Sequence, residues 1–220
     1  MFMEKKPNIF ICGPSGTGKS TSLRNLNPEK TFILNTERKQ LPFKGALKFG
    51  KMNFFVESME KYLKAFKAAI NNDDIDVIVI ESFTSLTEMV YKKAQEIYTG
   101  FDLWGYYKDK IGEILDISKN TNKWIIFLGI DQVLEGASGV EERFIAVDGS
   151  WKKKVEKEFV IVCYSHMRSG DNGKPVYEFI TNKIEGFENV SAKSPMEMLP
   201  ETMPNDLAEL ITKVESYYTE

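Results

Sequence analysis

The feature that most constrains the fold is a glycine-rich motif near the start of the 220-residue sequence. Residues 13–20 read Gly-Pro-Ser-Gly-Thr-Gly-Lys-Ser and match the pattern G-x-x-x-x-G-K-[ST] at every fixed position. An apolar, strand-like run at residues 8–12 precedes the motif, and a helical stretch follows it through about Leu26. A strand, a glycine-rich loop and a helix in this order predict a phosphate-binding loop (P-loop), because loop N–H groups and a helix N-terminus both favour an anion.

Each part of the motif has a predicted task in binding ATP and Mg²⁺. The glycines let the backbone wrap closely around phosphate groups. Lys19 is expected to reach the β- and γ-phosphates, and the Ser20 hydroxyl is expected to contact Mg²⁺. The residues predicted to bind the nucleotide are Gly13, Pro14, Ser15, Gly16, Thr17, Gly18, Lys19, Ser20 and Thr21.

The rest of the sequence alternates short β-branched runs with longer amphipathic stretches. The strand-like runs are residues 31–36, 76–81 and 123–128. The stretches with helical spacing are residues 57–71, 86–98 and 103–118. This alternation predicts an α/β fold with a mostly parallel central sheet flanked by helices.

The C-terminal half has a different pattern. Residues 159–165 and 176–181 flank the turn signal Gly170-Asp-Asn-Gly173, which predicts an antiparallel hairpin. A final helix is expected over residues 204–218. Residues 131–158 combine glycines with scattered charges and are expected to form a long, mobile loop carrying short irregular strands. No repeat or linker divides the sequence, so we expect a single domain over residues 1–220.

Composition excludes several classes of protein. The net charge of −3 excludes nucleic-acid binding driven by bulk charge, although a local basic patch can still bind it. No apolar run approaches the roughly 18 residues of a membrane span, and the start has no secretory signal pattern. Cys12 and Cys163 lie in apolar runs and are expected to be buried, reduced thiols of a cytoplasmic protein.

Two glutamates at the ends of predicted strands are candidate catalytic residues beside Lys19. Glu81 closes the apolar run 77–81, where P-loop proteins place an acid that holds Mg²⁺, on a strand expected beside the first one. Glu37 follows the strand at residues 31–36, at the edge where open parallel sheets bind ligands. A carboxylate there can orient or activate the attacking water, and an exposed strand end is the alternative interpretation.

Together these motifs resemble the RecA-like P-loop NTPases. In that superfamily a P-loop is followed by a strand ending in a catalytic acid and then by an apolar strand ending in the Mg²⁺ acid. Glu37 and Glu81 occupy those places in that order, although the second acid is commonly Asp. More closely, the chain resembles the small phage-encoded RecA-like ATPases of single-strand annealing and recombination, through Trp104-Gly105-Tyr-Tyr107 and Ala192-Lys-Ser-Pro195.

This resemblance implies an ATP hydrolase that binds single-stranded DNA in phage recombination. It also implies a homo-oligomer, either a ring or a filament, a single-strand-binding protein among the candidate partners, and a location in the host cytoplasm. The family's γ-phosphate sensor, a His in many relatives, has Gln132 as its candidate here. The cation that a neighbouring subunit inserts beside the γ-phosphate has Lys183 and Lys193 as candidates, with solvated surface lysines as the alternative.

DNA contact requires positive charge and is helped by aromatic platforms on which bases stack. The best local match is Trp151 followed by Lys152, Lys153 and Lys154, within the predicted loop. A solvated charged face is the competing interpretation of these lysines.

Two other functions fit the P-loop. A small kinase of a nucleotide or metabolite has the right size, but such kinases use several arginines to clamp phosphates, and this sequence has only Arg24, Arg38, Arg143 and Arg168. A nucleotide-dependent recombination mediator that binds ATP without hydrolysing it is the non-enzymatic alternative.

Overall fold

A computed structural model of the chain describes residues 5–135 and 139–219. The described residues form an eight-stranded sheet and a separate two-stranded sheet. The strands are β1 (Ile9–Cys12), β2 (Thr31–Asn35), β3 (Asn53–Phe55), β4 (Val77–Glu81), β5 (Trp124–Gly129), β6 (Asp131–Glu135), β7 (Glu141–Ile145), β8 (Ile161–Ser169), β9 (Pro175–Ile180) and β10 (Thr202–Pro204).

The large sheet has the order β10-β9-β8-β1-β5-β4-β2-β3. From β8 to β3 all neighbouring strands are parallel, whereas β8, β9 and β10 pair antiparallel. The predicted mostly parallel sheet with a C-terminal antiparallel hairpin is therefore confirmed. One detail of the prediction is wrong: β4, which ends in Glu81, is separated from β1 by β5 instead of lying beside it.

Four α-helices cover the sheet within the described residues: α1 (Met59–Ile70), α2 (Phe83–Ile97), α3 (Gly100–Lys119) and α4 (Leu207–Thr219). Serine hydroxyls cap two of them, since Ser58 accepts a hydrogen bond from Lys61 N and Ser82 accepts one from Ser85 N, both at 3.2 Å. None of the helices in the described ranges combines the length and the apolar character needed to cross a membrane.

Successive side chains of the buried strands point to opposite faces of the sheet, so there is an apolar core on each side. In β1, Phe10 and Cys12 face the core under α1, α2 and α3, while Ile9 and Ile11 face the core under α4. Strands buried on both faces read as continuous apolar runs, which is why β4 and β5 are recognisable from sequence. The predicted buried, reduced cysteines are found, since Cys12 and Cys163 are both buried free thiols.

The region 131–158 is more ordered than a long loop. Strands β6 and β7 form a regular antiparallel pair from Asp131–Ile145 to Glu135–Glu141, and two short 3-10 turns follow at Gly149–Trp151 and Val155–Glu158. Ile145, Val147 and Val155 are buried in the core under α3, which fixes the segment to the domain. Residues 136–138 lie outside the described part of the chain.

Candidate nucleotide-binding site

The P-loop connects the end of β1 to a short 3-10 segment, Ser20–Asn25. The helix predicted through about Leu26 forms as this six-residue segment, which ends one residue earlier. Its first turn is tight: the Ser22 N–H is shared between the carbonyls of Gly18 at 3.0 Å and Lys19 at 3.2 Å, and the Ser22 hydroxyl also donates to the Lys19 carbonyl.

Glycine is required at two positions of the loop. Gly13 has a φ of +148°, and a Cβ there would lie 2.6 Å from the carbonyl oxygen of Ser165. Gly18 has a φ of +90°, and a Cβ there would lie 3.0 Å from the Tyr177 ring. A residue with a side chain rarely adopts these φ values, and its Cβ would be too close to the neighbouring atoms. Glycine at both positions therefore lets the loop lie against β8 and β9. The Ser165 hydroxyl also donates to the Thr17 carbonyl at 2.7 Å.

Lys19 is held over the loop from which it comes. Its Nζ donates to the carbonyls of Gly13 and Pro14, each at 2.7 Å. Burial lowers the pKa of Lys19, and the negative charges of Glu81, Asp131 and Glu37 act in the opposite direction. A partly desolvated ammonium beside the glycine-rich loop is well suited to bind phosphate oxygens.

Glu81 and Ser20 meet across the edge of the sheet. The Ser20 hydroxyl donates to Glu81 Oε1 at 2.7 Å. The two residues predicted to hold Mg²⁺ are therefore adjacent, even though β5 separates β4 from β1, the strand that precedes the P-loop. Burial raises the pKa of Glu81 to about 7, helped by the charge of Glu37 and opposed by the Ser20 hydrogen bond. Glu81 Oε2 is buried without a hydrogen-bond partner in the described residues. A hydroxyl and an orphaned carboxylate oxygen are hard oxygen donors, so the pair fits Mg²⁺.

Thr36 brings the second glutamate to the same place. Its hydroxyl donates to the Ser82 carbonyl at 2.8 Å and accepts from the Ser82 N–H at 2.9 Å, which ties the end of β2 to the end of β4. Glu37 follows directly and lies close enough for its charge to raise the pKa of Glu81. Lys39 Nζ pairs with Glu37 Oε2 at 3.1 Å. The edge of the sheet thus carries both acids that the sequence singled out.

These groups line one cavity of about 580 Å³. Its walls include the predicted residues Ser15, Gly16, Gly18, Lys19, Ser20, Thr21, Glu37 and Glu81. Sequence reasoning missed Pro42 and Tyr177, which also line it. It also missed Asn205, which is buried beside Gly18 with its Oδ1 unpartnered among the described residues. Tyr177 and Asn205 reach the site through the folding of distant segments, so local sequence carries no signal for them.

Comparison with known protein families agrees with this geometry. A sequence model described as AAA domain matches residues 5–195, a range that includes the P-loop, Glu37, Glu81 and strands β1 to β9. The chain belongs to the AAA domain family. Its members have a P-loop ATPase fold, so the protein is a nucleotide-binding protein of ATPase type. No protein of curated function matches the sequence significantly.

Gln132 of this AAA domain does not reach the nucleotide cavity. It lies in β6, and its amide Nε2 donates to the carbonyls of Ile145 and Val147, both at 3.1 Å. Ile130 is the last residue of this segment that lines the cavity. The prediction of Gln132 as γ-phosphate sensor is wrong, because pairing of β6 with β7 directs its amide toward the backbone of the hairpin.

Trp151 packs against α3, whereas the three lysines that follow it are exposed. Its indole N–H donates to the Lys108 carbonyl at 3.1 Å, and its ring packs on α3 beside Gly112. One edge of this half-buried ring is therefore used for packing, and its role as a stacking platform for DNA bases stays a prediction. Lys152, Lys153 and Lys154 are exposed next to it.

The two candidate trans-acting lysines lie away from the P-loop of their own AAA domain. Lys183 is exposed and pairs with Glu142 at 3.6 Å, whereas Lys193 is half-buried. Both line a second cavity, which Lys153 also lines. Lysines predicted for two different tasks therefore lie together, at a place that the sequence did not indicate.

Proposed function

We propose that this AAA domain protein hydrolyses ATP, that single-stranded DNA stimulates the hydrolysis, and that it acts in phage recombination or annealing. The carrying observation is that Lys19, Ser20, Glu37 and Glu81 line one cavity beside the P-loop. A phosphate-binding loop, a metal-binding acid and an acid that positions water are the parts that nucleotide hydrolysis requires. The DNA and phage parts are supported by the sequence resemblance and by the exposed lysines 152–154.

Each side chain of the cavity has a separate task. The Lys19 ammonium binds the oxygens of the β- and γ-phosphates. Ser20 Oγ and the Glu81 carboxylate would hold Mg²⁺, which would neutralise charge on the phosphates. Glu37 orients the attacking water and accepts its proton at Oε1, because Lys39 pairs with Oε2.

DNA contact is assigned to the lysines after Trp151. Lys152 pairs with Asp148 at 3.7 Å, and Lys153 donates to the Glu135 carbonyl. Lys154 is exposed and makes no ion pair with the described residues. Phosphates of a single strand can exchange with such weak surface contacts, and the affinity then falls with salt because counterions are released.

The test is ATP hydrolysis at low salt with Mg²⁺, with and without single-stranded DNA. We expect stimulation in the wild type, background turnover in Lys19→Ala, and ATP binding without turnover in Glu37→Gln. A plot of log affinity against log salt concentration should fall less steeply in Lys152→Ala/Lys154→Ala. The magnitude of its slope should be smaller by about 1.4, since each phosphate contact contributes about 0.7. The matched control is Lys64→Ala/Lys67→Ala, which removes two exposed lysines of α1.

Other outcomes would replace the proposal. Transfer of phosphate to an added nucleotide or metabolite would make the protein a kinase, although none of its four arginines is among the residues that line the described cavity. ATP binding with background turnover in the wild type would make it a non-hydrolysing mediator. ATP hydrolysis at the same rate with and without single-stranded DNA would mean that the protein is an ATPase but lacks the proposed DNA function.

We further propose that the protein assembles into a ring or filament in which Lys183 of one subunit completes the site of the next. Lys183 is the better placed of the two candidates, because it is exposed while Lys193 is half-buried inside the second cavity. Mixing Lys19→Ala with Lys183→Ala tests this directly. If Lys183 acts in trans, the mixture regains activity that neither variant has alone; if it acts within its own subunit, mixing restores nothing.

A further inference from the structure

A second cavity, of about 470 Å³, lies between β7, β8 and the segment 182–193. Main-chain hydrogen bonds fix its walls: Arg143 N donates to the Asn189 carbonyl at 2.7 Å, and Lys193 exchanges two hydrogen bonds with Val162 at 2.8 and 2.9 Å. The apolar part of the wall consists of Phe144, Val162, Val190 and Ala192. The cavity is therefore preformed, and its apolar surface suits a flat, partly apolar ligand.

Three lysines give this cavity positive charge. Lys183 is paired loosely with Glu142 at 3.6 Å, and Lys153 donates to the Glu135 carbonyl. Lys193 makes no ion pair or side-chain hydrogen bond with the described residues, and burial lowers its pKa. A partly dehydrated ammonium of this kind gains more from binding an anion than a hydrated surface lysine does.

The same cavity also has a hydrogen-bond acceptor that lacks a donor. Glu156 Oε1 accepts hydrogen bonds from Ile145 N at 2.8 Å and from the Ser191 hydroxyl at 3.1 Å. Glu156 Oε2 is buried and has no hydrogen-bond partner in the described part of the chain. An orphaned carboxylate oxygen is costly, and a ligand with N–H groups would satisfy it.

We propose that this cavity binds one nucleoside monophosphate unit, with its phosphate at Lys193 and the N–H edge of its base at Glu156. A nucleoside phosphate combines the three required properties: an anion, N–H donors and a flat body for the apolar wall. Carboxylates accept from the exocyclic amine of cytosine, whereas thymine offers only its ring N3–H, which is flanked by two carbonyl oxygens that repel a carboxylate. The cavity therefore prefers cytosine over thymine.

The unit has two possible sources, a free mononucleotide or one residue of a single strand. The single-strand source rests on the proposed DNA function. Lys153 supports it, because this lysine lines the cavity and also belongs to the run 152–154 that is proposed to contact DNA. The free-mononucleotide source is independent of that function. Binding experiments with each form separate them.

The experiment is calorimetric titration of the full-length protein, with its P-loop saturated with ADP and Mg²⁺. The titrants are dCMP, dTMP, inorganic phosphate, and oligo(dC) and oligo(dT) of equal length. We expect dCMP to bind about tenfold more tightly than dTMP, or oligo(dC) about tenfold more tightly than oligo(dT), or both. Equal binding of the cytosine and thymine forms by the wild type, or no binding of either, overturns the proposal and requires no variant.

Variants assign the two ends of the ligand. Lys193→Met should weaken binding of dCMP or oligo(dC) at least about tenfold, and Lys193→Arg should restore most of it. Glu156→Gln should remove the preference for cytosine while binding of phosphate is unchanged. Lys174→Met, an exposed lysine in the β8–β9 turn, is the matched control and should change nothing. Unchanged affinity in Lys193→Met overturns the assignment of the phosphate.

The outcome is independent of the ATPase test. Hydrolysis stimulated by DNA without any cytosine preference would sustain the proposed function and reject the second site. A preference for dCMP without DNA stimulation would sustain the second site and reject the DNA function.

Discussion

The buried carboxyl of Glu81 should make the metal-free protein less stable as the pH rises. In the folded chain its pKa is about 7, compared with an ordinary value of 4.5, and the principal cause is burial. Between these values the folded state binds more protons than the unfolded state, so the free energy of unfolding falls with increasing pH. At about 1.4 kcal/mol for each pKa unit, this group removes about 3 kcal/mol between pH 4.5 and pH 7.5.

Urea denaturation in EDTA across this pH range measures the effect, with Glu81→Gln as the perturbation. The variant cannot ionise, so its stability relative to the wild type should rise by about 3 kcal/mol over the same interval. Glu29→Gln, at an exposed position, is the control and should follow the wild-type profile. A stability difference between Glu81→Gln and wild type that stays constant with pH would refute the reasoning.

Three further variants test contacts of the described structure. Gly18→Ala places a methyl group 3.0 Å from the Tyr177 ring at a φ of +90°, so it should cost about 2 kcal/mol in urea denaturation and weaken ATP binding; wild-type affinity contradicts this. Asp206→Ala removes the side chain that accepts from Ala208 N at 3.0 Å at the start of α4, and should lower the free energy of unfolding by about 1 kcal/mol; an unchanged value contradicts the capping role. Trp151→Ala should lower thermal stability by an amount equivalent to about 2 kcal/mol and leave DNA affinity unchanged; weaker DNA binding at unchanged stability would instead support Trp151 as a base platform.

Element order could be predicted because the central strands are continuous apolar runs. β4 and β5 are entirely buried, so their sequences contain no polar residue before the terminal Glu81 of β4. The turn at residues 170–173 likewise has a local signal, and the hairpin β8–β9 forms around it. The glycine pattern of the P-loop is local as well, which explains why that part of the site could be read directly.

The errors have non-local causes. Gln132 does not reach the cavity because its amide donates to carbonyls of β7 and of the residues after it. The charged sequence of region 131–158 does not indicate that β6 and β7 pair. Tyr177 and Asn205 reach Gly18 from elements more than 150 residues away. The second cavity likewise depends on the approach of segment 182–193 to β7 and β8.

Direct titration of ATP and Mg²⁺ into the full-length protein tests the central claim that the P-loop cavity is the ATP site. Wild type should bind one ATP per chain, and Lys19→Ala should bind at least about tenfold more weakly because a charge-assisted contact to phosphate is lost. Lys64→Ala, at an exposed position of α1, should bind like wild type. Equal affinity of Lys19→Ala and wild type, or no ATP binding by wild type, would contradict the account.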